Sequence, residues 1–79
     1  MDAKLKYHTI LKENKLSATQ FRIRVLMEID KANGPISRNE LFRKLGKNTD
    51  RVTLYRNLQS FCEHNIIENV DPESGGYDV

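Results

Sequence analysis

Apolar positions along this 79-residue chain recur mostly at helical spacing. Leu5, Tyr7, Ile10 and Leu11 make a weak stripe that predicts a first helix over about residues 3–14. The turn-like stretch NKLSAT follows, with Ser17 and Thr19 as candidate N-caps. Phe21, Val25, Leu26 and Ile29 then recur at spacings of four, one and three, predicting a second helix over about 20–31. Gly34 and Pro35 break it. The third helix has the clearest start. Ser37 and Glu40 make an S-x-x-E capping box, and Ile36 and Leu41 occupy the two positions of a hydrophobic staple. Leu41, Phe42 and Leu45 supply its buried face, and Gly46 stops it.

The fourth helix begins near Thr49 or Asp50, both good caps. Leu54, Leu58, Phe61 and Cys62 repeat at four, three and one, a core stripe. Asn65 tolerates the left-handed conformation that ends a helix. Residues 66–70 read as a short strand, 71–76 as a loop and 77–79 as a return strand. Residues 1–79 are therefore expected to form a single domain, mainly α with a small β-hairpin. The order suggests a winged helix-turn-helix, with three to four helices and a two-stranded antiparallel wing. Its abrupt end suggests a fragment of a longer chain.

Composition narrows the picture. Hydrophobic residues make up 38% of the chain and Trp is absent, so the core must be mostly aliphatic. Cys62 is the only cysteine, which excludes an internal disulfide and a CxxC zinc site. No apolar run approaches the roughly 20 residues needed to span a membrane, and the polar start is no secretory signal. A cytoplasmic location and no membrane partner are expected. The net charge of +2 hides an uneven distribution. Residues 31–64 hold seven Lys/Arg against three Asp/Glu, whereas residues 65–79 hold none against four. A modest basic surface on the helices suits a polyanion, although a solvated mixed-charge surface is the plainer reading.

The fourth helix carries the sharper signal. At 100° per residue its core stripe covers about a third of the circle. Arg56 falls opposite the centre of that stripe, flanked by Val52, Gln59 and Ser60. Thr53 and Tyr55 lie toward the two edges of the exposed arc, and Arg51 nearer the core boundary. The first two turns thus present Arg51, Val52, Thr53, Tyr55 and Arg56 with no acid among them. The second helix of a helix-turn-helix places such a surface in the major groove. Arginine can bond both guanine acceptors, and Val or the Tyr ring can meet a thymine methyl. The Thr hydroxyl and free N–H groups at the helix start can reach phosphate. Against this stands a bland reading, in which Tyr55 half-buries its ring and Arg56 is merely solvated.

These residues resemble a family. VTLYRNLQSF followed by NII is similar to the recognition helix and wing of the ferric uptake regulator (Fur) family of bacterial metal-responsive repressors. That family carries T-[VL]-Y-R-x-L-x-x-[FL], matched by Thr53, Leu54, Tyr55, Arg56, Leu58 and Phe61. Thr19, Arg22, Val25 and Leu26 match its T-P-x-R-x-x-[VIL]-L segment, with Gln20 in place of the proline. Ile36-Ser37 and Glu40-Leu41-Phe42 resemble its third helix, and Ser74-Gly75-Gly76 sits at its wing turn. The resemblance spans about residues 15–79. It implies sequence-specific double-stranded DNA binding, as the DNA-binding domain of a transcriptional regulator, on an AT-rich inverted repeat. Ser17 falls where the family often has a basic residue for the minor groove, and Lys15 is the nearest substitute. Lys15, Ser17, Thr19 and Ser37 therefore join Arg51, Val52, Thr53, Tyr55 and Arg56 as DNA-contact candidates. The acidic wing, with Glu68, Asp71, Glu73 and Asp78, is expected to add little affinity. Homodimerisation and binding of a divalent metal (Fe, Zn or Mn) are expected only in a C-terminal domain absent from these residues.

His8 and His64 are far apart in sequence, and His64 suits a helix C-terminus better than a metal. No metal site, cofactor or catalytic constellation is expected in this chain. The alternative to DNA binding is a winged-helix module for protein–protein contact, anchored by Tyr55 and Val52.

Overall fold

The structure is a computed structural model that describes residues 2–71 and 76–79. The proposed wing turn at Ser74-Gly75, and Glu73, lie outside the described residues. Four helices precede a hairpin: α1 (Ala3–Glu13), α2 (Gln20–Lys31), α3 (Arg38–Leu45) and α4 (Arg51–Glu63), then β1 (Glu68–Asp71) and β2 (Gly76–Asp78). The molecule is mainly helical, with one two-stranded antiparallel sheet.

Each helix start is fixed by a side chain that accepts an otherwise orphaned N–H. Asp2 caps α1 by accepting from Lys4 N–H. Of the two caps expected for α2, Thr19 serves and Ser17 does not. Ser37 caps α3 through the Glu40 N–H at 3.2 Å. Ile36 and Leu41 are both buried, as a staple requires. Gly46 ends α3 at φ 102°, and Asn65 follows α4 at φ 58°. Lys15, at φ 61°, makes the turn out of α1, a left-handed position with no glycine to mark it.

The core is built from Tyr7, Leu11, Ile23, Val25, Leu26, Ile29, Leu41, Leu45, Leu54, Leu58 and Phe61 of the helices. Ile67, just before the hairpin, and Tyr77 of β2 close it. Two positions on α4 differ from the expected stripe. Cys62 is only half-buried and packs at the margin, whereas Asn57 is buried. The strand bounds also move. Ile66 and Ile67 are not yet strand, because both N–H groups turn back to the Phe61 carbonyl, at 2.9 and 3.4 Å. The return strand starts one residue earlier, at Gly76. A register shift between Asn69 and Asp71 leaves Val70 as an extra residue, 45% exposed.

One pairing had no sequence signal. Ile36, in the α2–α3 connection, exchanges two backbone hydrogen bonds with Tyr77, at 2.8 and 3.0 Å. The hairpin is thereby clamped beside the start of α3.

Candidate nucleic-acid interface

Packing of Leu54, Leu58 and Phe61 into the core decides what α4 shows outward. Arg51, Val52, Thr53 and Arg56 are exposed, and Val52 is 55% exposed despite being apolar. Among the described residues, neither Arg51 nor Arg56 forms an ion pair. Tyr55 lies at the edge of the exposed arc, as expected, with its ring partly covered. It is half-buried, and the Arg38 guanidinium stands 5.0 Å from its ring centroid. Arg51 lies over Phe42 of α3, 4.4 Å from the ring centroid. Both are cation–π contacts, which orient the guanidinium plane while leaving its charge available.

Arg38 was not among the sequence candidates. A signal was present: arginine at the first position of a helix opposes the helix dipole and is a poor choice for stability alone. The structure brings Arg38 together with Ser37 and Tyr55. Tyr77 belongs to the same cluster. Burial pushes its hydroxyl pKa up, and the Arg38 charge partly opposes that rise.

Asp50 is the cap of α4, and its carboxylate accepts from Val52 N–H at 3.1 Å and from the Thr53 hydroxyl at 2.9 Å. The Thr53 proton is therefore committed, so in this arrangement Thr53 is no phosphate donor. The Val52 N–H is taken too. Ser37 and Thr19 differ, because their hydroxyl oxygens accept from Glu40 N–H and Arg22 N–H. Each keeps its own O–H proton for another acceptor.

Lys15, Ser17 and Thr19 are exposed in the α1–α2 connection. They reach α4 only indirectly. Arg22 donates from Nη1 to the Ser17 carbonyl at 3.1 Å and from Nε to Asn57 Oδ1 at 2.9 Å. Sequence reasoning missed Asn57. Its signal was an amide flanked by Leu54, Leu58 and Phe61, where an apolar residue would ordinarily sit.

Glu68 is exposed and Asp78 half-buried on the hairpin. Of the histidines, His8 is exposed and His64 closes α4, with Nδ1 2.8 Å from the Ser60 carbonyl. Among the described residues no three metal-binding side chains gather in one place. No helix among them is long and apolar enough to cross a membrane. No family model matches the chain, and no curated protein or solved structure matches it either.

Proposed function

We propose that this chain is the winged-helix DNA-binding domain of a bacterial transcriptional repressor of the ferric uptake regulator type. It acts on double-stranded DNA, with α4 as its recognition helix. The observation behind this reading is the exposed side of the first two turns of α4, where, among the described residues, Arg51 and Arg56 form no ion pair and flank Val52. Arg38, Ser37 and Thr19 add a guanidinium and two available hydroxyl protons from neighbouring segments. Guanidinium groups read guanine edges or clamp phosphate, and hydroxyl protons suit phosphate. Val52, apolar and exposed, favours a second reading, in which this face docks another protein.

Binding to cognate and scrambled duplexes across a salt series separates the two. DNA binding weakens steeply as salt rises, because phosphate contacts release counterions. Arg56→Ala should weaken cognate binding about ten-fold or more and relax preference at one base position, given roughly 1–3 kcal/mol per bidentate pair. Lys15→Ala should weaken every duplex alike and lower the salt slope by about one. Equal losses on both duplexes for Arg56→Ala would make Arg56 a phosphate clamp. No salt-dependent binding to any duplex would favour protein docking.

A further inference from the structure

We infer that Arg22 and Asn57 are a positioning pair, which fixes the α1–α2 connection and its Lys15 relative to the DNA-facing end of α4. The inference rests on the DNA-binding reading above. Asn57 is the one buried polar side chain among the described residues. Its Nδ2 donates to the Thr53 carbonyl one turn back, at 2.9 Å. Its Oδ1 accepts from Arg22 Nε at 2.9 Å. Only one orientation of the amide serves both partners, since arginine can only donate and a carbonyl can only accept.

Arg22 carries the link onward. Nη1 donates to the Ser17 carbonyl at 3.1 Å. Its backbone N–H bonds Thr19 Oγ1 at 3.2 Å. A rigid planar fork thus spans Asn57 on α4 and Ser17 before α2, and Asn57 passes the link to the Thr53 carbonyl. Lys15 is two residues from Ser17, and its N–H is held by the Lys12 carbonyl at 3.0 Å. Leu16 alone separates the α1 end that carries Lys15 from the Ser17 carbonyl that Arg22 holds. Neither Arg22 nor Asn57 need touch DNA for this.

A double-mutant cycle on duplex binding tests the pair, with each affinity corrected for folded fraction by circular dichroism. Arg22→Met keeps the side-chain length but removes the donors. In that background Lys15→Ala should cost less than about two-fold and leave the salt slope unchanged, whereas Arg56→Ala should still cost about ten-fold. Asn57→Asp keeps the acceptor for Arg22 and should preserve the full Lys15 effect. If Arg22→Met does not fold, Arg22→Lys, which cannot span both acceptors, takes its place with the same expectation. An undiminished Lys15 penalty would overturn the inference. So would loss of the Lys15 and Arg56 effects together, which is general loosening of the domain. Absence of any duplex binding by the unmodified chain at low salt would instead overturn the DNA-binding reading and, with it, the basis of this one.

Discussion

Asp50→Asn separates stability from DNA affinity. The Asp50 carboxylate holds Val52 N–H and the Thr53 hydroxyl at the start of α4, beside exposed Arg51. Asparagine is about as good an N-cap as aspartate and keeps an oxygen for Val52 N–H. The loss on folding is then mainly the charge–dipole interaction, about 0.3–1 kcal/mol at an exposed helix start. The gain on binding is relief of repulsion. A carboxylate about 8 Å from a phosphate is repelled by about 0.5 kcal/mol in bulk water and about 2 kcal/mol at an effective dielectric of about 20. Screening over a Debye length of about 8 Å cuts this to roughly a third. With Arg51 adjacent and more than one phosphate in range, the net is about 0.5–0.8 kcal/mol, or roughly a two- to four-fold gain in affinity. Urea denaturation measures the first quantity and fluorescence anisotropy with a labelled duplex the second. A destabilised variant that binds more tightly is expected. A variant that binds more weakly, at equal folded fraction, would refute the reasoning and show that the negative charge orients a DNA-contacting group.

Ser37→Ala should cost about 1 kcal/mol, because Glu40 N–H loses its acceptor; unchanged denaturation would mean that solvent replaces the cap at no cost. Gly46→Ala meets no neighbouring atom within 4 Å, yet φ 102° with ψ 173° is a glycine conformation, so it should cost about 1–3 kcal/mol in the same assay. The Tyr7 hydroxyl is shut from solvent beside the Asp30 carboxylate, so Tyr7→Phe should change stability at neutral pH by no more than about 1 kcal/mol. Burial, and then the nearby Asp30 charge, push the Tyr7 phenol up to about 12. A phenol raised in the folded state favours folding most below its ordinary pKa. That contribution should fade from about pH 10 to about 12 in the parent and be missing in Tyr7→Phe, as parallel denaturation series would show.

Much of the architecture is local in origin and so was readable along the chain. Caps act within three residues, which is why Ser37 could be placed from sequence and the α2 and α4 caps narrowed to Ser17 or Thr19 and Thr49 or Asp50, of which Thr19 and Asp50 serve. Apolar spacing set the buried faces, because a helix turns by a constant angle whatever it packs against. The same rule put Val52 and Arg56 on the outer face of α4. What tertiary structure alone decided involves groups distant in sequence. Arg38 meets Tyr55 across seventeen positions, and Arg22 meets Asn57 across thirty-five. Tyr77 pairs with Ile36 across forty-one. No periodicity encodes such meetings, since they follow from how helices are set against one another. They cover one side of Tyr55 at the edge of the exposed arc and hold an amide, Asn57, within the core, while Cys62 packs at its margin. The Asp50 correction is different: the residue and its capping role were visible, but not that its carboxylate would also occupy the Thr53 hydroxyl. That depends on one rotamer at a helix start, and rotamers are chosen by the surroundings the folded chain provides.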